Sequence, residues 1–456
     1  MHTAELDDIK KQLIQAIKKT LDTLPEKTLK SASIQRAETA VSGIAPLDWL
    51  NGQNFHTKIF WARRDEKHKI AVVGAVHHII TDSVDIMRSI RRYLHNSHRD
   101  IRYFGGMRFD VNQKIEHHWL PYAKYRFVAP QIELTQKDDK QSLAINFSLQ
   151  PGEDLVEVFK KTKELVEQIQ PPESLPSNGL PKILSREENP DRARWTEMVN
   201  QALAAIDRDE FEKIVLAGNR LLTFAEDINP LHLLKNILKK NGNSFHFGFQ
   251  FQNGVNFIGM TPECLYQRDG ENIYTEAIAG TRLRGSTPDE DAELGKEMLS
   301  SDKDLREHRW VKKMILDRLR PLCEDIKPTS NEQLLPLSHV QHLQSQFSGR
   351  LRKQVADEDI IKALHPTPAV GGYPKKTSVD RIAQLVPFDR GWYAAPVGWV
   401  SSDAAEFAVA IRSALVSGEK LRIFAGSGIV KGSNPDAEWE ENRNKEQNFL
   451  QLFDDE

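Results

Sequence analysis

The feature that most limits the fold of this chain is a strand of alternating phenylalanines that runs into a tight turn. Between residues 245 and 251 every second residue is phenylalanine, so these rings are expected on one face of a β-strand. The pair Asn253-Gly254 follows, and this dipeptide favours the two-residue turn of a β-hairpin. Val255 and Phe257 begin the returning strand. An antiparallel sheet is therefore expected here.

Helical segments are predicted between the strands. Apolar residues recur at helical spacing in residues 190–206, 230–239 and 302–320. A second hairpin is predicted at Asp269-Gly270. Antiparallel hairpins interleaved with helices indicate an α+β fold.

A proline-rich segment divides the chain. Residues 171–181 contain four prolines together with serine and glycine, which is typical of a linker. We therefore predict a strand-rich N-terminal subdomain at 1–170, a linker at 171–189 and a catalytic domain at 190–456, although both parts could share one core.

Composition excludes several classes of protein. The 456 residues carry a formal net charge of −3, which argues against a nucleic acid partner. No run approaches the roughly 18 apolar residues of a membrane span. The first helix carries acids as well as lysines, unlike a signal or transit peptide. With only two cysteines, no disulfide framework is expected. These limits fit a cytoplasmic enzyme with no membrane partner.

A strand, a glycine turn and a helix near the C-terminus predict a binding site. Gly426 and Gly428 lack β-carbons, so a ligand can approach the backbone amides of this turn. In the helix that follows, Glu438, Glu441 and Lys445 are spaced i, i+3 and i+7 and share one face. This set can hold a divalent cation together with an anionic substrate, although acids in this pattern also occur on solvated helix faces.

Two further residues have alternative interpretations. Lys213 begins an apolar strand, where a lysine is either an edge residue that reaches water or a desolvated general base. Glu263 follows a proline at the end of the first hairpin, and it is either a turn acid or a carboxyl group of a site.

Another pair of acids opens the helix at 302–320. Asp304 and Glu307 lie one turn apart, where acids often only interact with the helix dipole. Together with Glu438 and Glu441 they would complete a cage of four carboxylates of the kind that Mg²⁺ accepts.

Eight segments, in order along the chain, resemble the chorismate-utilising enzymes and among these most of all the isochorismate synthases. They include Ala279-Gly280-Thr281 and the glycine turn, and they span more than half of the sequence. The eight segments are residues 213–217, 261–263, 279–281, 303–308, 365–372, 390–393, 406–412 and 425–430. The resemblance implies the fold of anthranilate synthase component I, with large antiparallel sheets flanked by helices.

The resemblance also implies a reaction and a role for each matching residue. In isochorismate synthases water attacks C2 of chorismate while the C4 hydroxyl leaves. Lys213 would activate the water, and Glu263 would protonate the leaving hydroxyl. Glu307 and Glu441 would bind Mg²⁺, and Asp304 and Glu438 would hold its water ligands. The implied substrate-binding residues are Gly280, Thr281, His365, Tyr393, Arg412, Gly426, Ser427, Gly428 and Lys445.

Related activities differ at identifiable positions. Aminodeoxychorismate synthases carry a lysine where this chain has Ala279. Anthranilate synthases lack the base lysine and take ammonia from a glutaminase, so Lys213 argues against them and no obligatory glutaminase subunit is expected. Salicylate synthases share Lys213 and both glutamates, and they remain the alternative. A catalytically inactive chorismate-binding protein is the other class, but every expected catalytic residue is present. The pathway served, menaquinone or siderophore synthesis, stays open.

Overall fold

The structure, a computed structural model, describes residues 3–24, 31–83, 85–176, 179–240, 242–330, 332–337 and 340–453, apart from the side chains of Thr3, Thr281, Lys303 and Glu307. The helices within these residues are α1 (Thr3–Asp22), α2 (Pro46–Gly52), α3 (Ile86–His95), α4 (Leu155–Glu167), α5 (Arg192–Asp207), α6 (Pro230–Lys240), α7 (Pro288–Ser300), α8 (Asp302–Leu319), α9 (Asp357–Leu364), α10 (Lys375–Leu385) and α11 (Pro435–Leu450). A 3₁₀ helix lies at His117–Tyr122.

The strands of the same described part fall into an N-terminal and a C-terminal series. The first is β1 (Ser33–Val41), β2 (Lys58–Ala62), β3 (His68–Val73), β4 (His77–Thr81), β5 (Tyr103–Met107), β6 (Tyr125–Ala129), β7 (Ile132–Lys137), β8 (Lys140–Leu149) and β9 (Ile183–Asn189). The second is β10 (Lys213–Phe224), β11 (Phe245–Gln252), β12 (Val255–Thr261), β13 (Cys264–Asp269), β14 (Asn272–Leu283), β15 (Cys323–Pro328), β16 (Gln333–Pro336), β17 (Val340–Leu351), β18 (Gly372–Tyr373), β19 (Pro396–Val400), β20 (Ala404–Val409), β21 (Ser413–Ser417) and β22 (Lys420–Val430).

These strands form two antiparallel sheets. The larger sheet has 12 strands in the order β1-β8-β7-β3-β2-β11-β12-β21-β22-β10-β18, with β9 paired to β10. The smaller sheet has 10 strands in the order β15-β17-β14-β13-β20-β19-β5-β6-β4, with β16 paired to β17. The prediction of an α+β fold with large antiparallel sheets flanked by helices is confirmed.

The phenylalanine hairpin lies inside the larger sheet. Strands β11 and β12 pair so that Phe247 lies opposite Gly259. A β-carbon at Gly259 would lie 2.4 Å from the Phe247 ring, so this ring needs the glycine opposite it. Phe249 contacts Trp392 at 5.8 Å between ring centroids. One hydrophobic core contains residues of both sheets, among them Phe247 and Phe407.

Both sheets draw strands from either side of the proline-rich segment. The larger sheet joins β2 to β11, and the smaller sheet joins β5 to β19. Residues 183–189, which we assigned to the linker, form strand β9. The division into subdomains at 1–170 and 190–456 stays a prediction.

No α-helix in the described ranges is both long enough and apolar enough to cross a membrane. The predicted cytoplasmic location stays a prediction.

Candidate active site

Most of the predicted site residues line one cavity of about 430 Å³. The cavity lies between the C-terminal part of the larger sheet, the connection to the smaller sheet, and helices α8 and α11. The predicted residues that line it are Lys213, Glu263, Gly280, Asp304, Tyr393, Arg412, Gly426, Gly428, Glu438, Glu441 and Lys445.

The predicted glycine turn is corrected: Gly426 and Gly428 lie within strand β22, where they pair with β10, and the turn follows at Lys431-Gly432. In the strand the two glycines allow two side chains to approach the backbone. A β-carbon at Gly428 would lie 2.8 Å from Cε of Lys213. A β-carbon at Gly426 would lie 2.9 Å from the hydroxyl oxygen of Tyr393. Any larger residue at these two positions would therefore displace Lys213 or Tyr393.

Ser427, between the two glycines, faces helix α11 instead of the cavity. Its hydroxyl donates to the carbonyl oxygen of Glu438 at 3.0 Å, and it lies 3.2 Å from Oδ1 of Asn442. Asn434 caps the start of α11 by accepting from two backbone amides. The side chain of Ser427 thus fixes the helix that carries the acids, and it does not contact the cavity.

Glu263 is buried in the connection between the two sheets, with 7% of its surface exposed. Burial raises the pKa of this carboxyl group to about 7. A hydrogen bond from Thr367 and the positive charges of Lys213 and Arg64 lower the pKa, whereas the carboxylate of Glu276 raises it further. The net effect is a carboxyl group that can hold a proton near neutral pH, as a general acid must.

The peptide groups on both sides of Glu263 are held by an ion pair. Arg64 donates to the carbonyl oxygen of Pro262 and, through Nη1, to Oε2 of Glu276 at 2.9 Å. Oε1 of Glu276 accepts from the backbone amide of Cys264 at 2.8 Å. Arg64 follows strand β2, so a residue of the N-terminal region helps to position the acid of the cavity.

Two acids enter the cavity from helix α11. Glu438 accepts a hydrogen bond from Ser433 at 2.8 Å. Glu441 forms an ion pair with Lys445, which also donates to the carbonyl oxygen of Gly426 at 2.7 Å. Burial would raise the pKa of Glu441, but the positive charges of Lys445, Arg412 and Lys213 outweigh it and hold the pKa below its usual value. Glu441 is therefore ionised.

A third acid enters from helix α8. Asp304 lies in the first turn, where Ser301 caps the helix by accepting from the Asp304 amide. Its carboxylate accepts from Nη2 of Arg282 at 2.9 Å. The side chain of Glu307 lies outside the described part of the structure.

The chemistry of these acids fits a hard cation. Asp304, Glu438 and Glu441 offer carboxylate oxygens to one cavity, and oxygen ligands are what Mg²⁺ prefers. Among the described side chains, which do not include Glu307, no three histidine, cysteine or acidic residues lie close enough together to form a metal site. Two of the three acids are instead paired with the cations Arg282 and Lys445.

Arg412 brings a positive charge into the same cavity. This residue is buried, and its backbone is held in the left-handed region at φ +48°. Burial lowers the pKa of Arg412, while Tyr393 and Glu441 counteract this effect. Burial also raises the pKa of Tyr393 to about 12, so its hydroxyl stays protonated. A guanidinium and a hydroxyl group together form a site for a carboxylate.

Gly280 lies in a β-bulge of strand β14, where the pairing with β17 shifts between Ala279 and Thr281. Its φ of +73° favours glycine. Its carbonyl oxygen lies 2.9 Å from Nδ1 of His342, which also lines the cavity. Burial, with smaller effects of Arg412 and Lys445, lowers the pKa of His342 to about 4, so the ring is neutral.

The structure does not place His365 in this cavity. The residue ends helix α9, and its ring packs edge-to-face against Phe109 at 5.8 Å between centroids. His365 lines a separate cavity of about 210 Å³ instead. A role of His365 in substrate binding stays a prediction. The side chain of Thr281 lies outside the described residues.

Sequence reasoning missed three residues near Glu263 and the cavity. Thr367 lies within a segment that matched the family, but nothing marked its hydroxyl as a partner of Glu263. His342 is an isolated histidine in a strand, and Arg64 lies in a region without a matching motif. His342 could have been found only from the alternation of side chains along strand β17. Thr367 and Arg64 could have been found only from contacts between residues that are far apart in the sequence.

The sequence matches the family model described as chorismate binding enzyme over residues 15–454. The chain therefore belongs to the chorismate-binding enzymes, as the resemblance predicted.

Individual relatives agree with this assignment. The chain is 35% identical over 343 residues to the isochorismate synthase MenF of Bacillus subtilis, covering 75% of this chain and 72% of that protein. The solved structure of MenF, the menaquinone-specific isochorismate synthase of Escherichia coli, superposes with a TM-score of 0.85 at 28% identity, over 97% of this chain and all of that one. Anthranilate synthase component I of Streptococcus pneumoniae has the same fold, with a TM-score of 0.68 at 20% identity over 94% of each chain.

Proposed function

We propose that this enzyme is an isochorismate synthase, which interconverts chorismate and isochorismate. The observation that carries the proposal is the pairing of Lys213 with a buried, protonatable Glu263 in one cavity beside Arg412. An amine, a carboxylic acid and a carboxylate-binding arginine are the groups that a water addition with loss of a hydroxyl from an anionic substrate needs. The isochorismate synthases among the similar proteins support the same reaction.

In the proposed reaction one water molecule enters and another leaves. In its neutral form the amine of Lys213 accepts a proton from the attacking water as the water oxygen bonds to C2 of chorismate. Both double bonds of the ring diene shift, the bond between C4 and its hydroxyl breaks, and Glu263 gives its proton to the departing hydroxyl. The product is an isomer of the substrate. The reverse reaction uses the same two residues with the roles of acid and base exchanged.

Binding of the substrate follows from the charges of the cavity. Arg412 and the Tyr393 hydroxyl would bind the enolpyruvyl carboxylate, because a buried guanidinium forms strong paired hydrogen bonds with a carboxylate. Gly426 and Gly428 would let the substrate approach the backbone of β22. Since water is the nucleophile, no ammonia and no glutaminase subunit are needed.

We further propose that the enzyme depends on Mg²⁺. Glu307 and Glu441 would bind the ion, and Asp304 and Glu438 would hold its water ligands. When bound, the ion would attract the ring carboxylate of chorismate and offset the repulsion among the acids.

We favour menaquinone synthesis as the pathway served, because the solved structure that superposes with a TM-score of 0.85 is that of a menaquinone-specific enzyme. A salicylate synthase is not favoured, because the similar proteins of Bacillus subtilis and Escherichia coli both carry the name isochorismate synthase.

The test is product analysis by chromatography after incubation of the protein with chorismate and Mg²⁺. We expect isochorismate and residual chorismate to persist together, because the two isomers are of similar energy. Lactate dehydrogenase, added without any lyase, reports pyruvate in the same reaction. Pyruvate that rises to match the chorismate consumed would identify a salicylate synthase. Unchanged chorismate would overturn the proposed function.

A further inference from the structure

Thr367 contacts the carboxyl group of Glu263 directly. Its hydroxyl donates to Oε1 of Glu263 at 3.1 Å, and the two residues are 6% and 7% exposed. In such a buried position no bulk water competes for the carboxyl oxygen, so the hydrogen bond is stronger than it would be at the surface.

The turn that carries Thr367 is itself fixed. The carbonyl oxygen of Thr367 accepts from the backbone amides of Val370 at 3.1 Å and Gly371 at 2.9 Å. Arg390 donates to the carbonyl oxygen of Val370 at 3.0 Å. Val370 lines the cavity, so the same turn forms part of the cavity wall and holds the hydroxyl that reaches Glu263.

The direction of this hydrogen bond has a chemical consequence. A protonated carboxyl group has one carbonyl oxygen and one hydroxyl oxygen. Because Oε1 accepts from Thr367, it takes the role of the carbonyl oxygen and leaves the proton to Oε2. We propose that Thr367 is a positioning residue for the reaction, which orients Glu263 so that Oε2 presents the proton to the leaving hydroxyl.

The same hydrogen bond limits how strongly Glu263 holds its proton. The bond favours the ionised carboxylate and so opposes the rise in the pKa that burial causes. Without it the pKa of Glu263 would lie further above neutrality, and the group would become a weaker acid.

The experiment compares Thr367→Val, which removes the hydroxyl at nearly constant volume, with Thr367→Ser, which keeps it. In the valine variant we expect kcat to fall by roughly tenfold, less than the loss on removing a general acid, with little change in KM. We also expect the alkaline limb of the pH profile to move upward by about one pH unit. The serine variant should restore both quantities towards those of the parent enzyme.

Thr162→Val is the matched control. Thr162 is also buried, and its hydroxyl donates to the backbone carbonyl of Val158 at 2.7 Å, within helix α4. This variant loses a buried hydrogen bond of similar kind, but its pH profile should match that of the parent. A control with the same shift as Thr367→Val would assign the effect to general loss of stability and overturn the inference.

This inference rests on the proposed function, because it takes Glu263 as the acid. A second measurement separates the two: the carboxyl carbon of Glu263 is titrated by ¹³C NMR in protein labelled at glutamate, and the signal is assigned from its absence in Glu263→Gln. An upward shift of this titration in Thr367→Val supports the hydrogen bond even if the parent makes no isochorismate. An unchanged titration, or a serine variant as impaired as the valine variant, overturns the inference.

Discussion

Lys213 and Glu263 face one cavity from different parts of the fold. Lys213 is the first residue of β10 in the larger sheet, whereas Glu263 lies in the connection that leads from β12 of this sheet to β13 of the smaller one. The positive charge of Lys213 lowers the pKa of Glu263, but burial has the larger effect. Two groups that are not adjacent in any strand pairing are thus brought to one cavity.

The first prediction concerns the pH dependence of the forward reaction. Glu263 acts as the acid only while it is protonated, and its pKa is about 7. We therefore expect kcat for isochorismate formation to fall as the pH rises through about 7, by about tenfold per unit well above it. Initial rates measured across neutral and alkaline pH test this expectation. Glu263→Gln should lose the acid, with a rate about 10²–10⁴-fold lower. A rate that stays constant from pH 6 to pH 9 would contradict the assignment.

The second prediction concerns stability. Burial raises the folded-state pKa of Glu263 from 4.5 to about 7, so the folded protein holds a proton that the unfolded chain has lost between these pH values. The stability that this proton provides is complete below pH 4.5 and is lost as the pH rises through about 7. Glu263→Gln should therefore increase the free energy of unfolding at pH 8 by roughly 3 kcal/mol relative to the parent, and by much less at pH 5.

Urea denaturation at both pH values measures this difference. Glu440→Gln is the control, because Glu440 is exposed on α11 and should change stability little at either pH. A Glu263→Gln variant that gains no stability at pH 8 would show that the carboxylate is not destabilised by its surroundings.

The third prediction separates a base from a structural lysine. Lys213→Ala should lower kcat by about 10²–10⁴-fold while the protein still folds and binds chorismate. Lys420→Ala is the matched control. Lys213 pairs with Val430 at one end of the β10–β22 ladder, and Lys420 pairs with Thr223 at the other end, where it is exposed. Equal rates for the parent and the Lys213 variant would show that Lys213 is not a general base but a lysine at the edge of a strand.

The fold was predictable where the signal is local. The alternating phenylalanines and Asn253-Gly254 predicted the β11–β12 hairpin, and apolar spacing predicted helices α5, α6 and α8. Strand β9 was missed, because the prolines before it dominate the local composition. Its pairing with β10 depends on a distant partner, which a local pattern does not reveal.

The sequence predicted most of the residues that line the cavity, but it did not predict the direction of every side chain. Gly426 and Gly428 face the cavity because alternate residues of a strand share a face, and the same rule turns Ser427 towards α11. The sequence did not reveal that the ring of His365 packs against Phe109 and lines a separate cavity, because Phe109 is distant in the chain. Arg64 lies 198 residues from Pro262, and only the assembled sheets bring the two together.

The last prediction concerns the metal. Asp304, Glu438 and Glu441 bring negative charge into one cavity, and with Glu307 they are the acids expected to need a cation. Excess EDTA should abolish turnover, and added Mg²⁺ should restore it. Glu441→Gln should weaken Mg²⁺ binding in calorimetry and lower kcat, whereas Glu440→Gln, one residue earlier on the exposed face of α11, should bind Mg²⁺ like the parent. The contrast between neighbouring glutamates separates a ligand from a general loss of negative charge. Full activity in excess chelator, or equal Mg²⁺ affinity in both variants, would rule out the metal assignment.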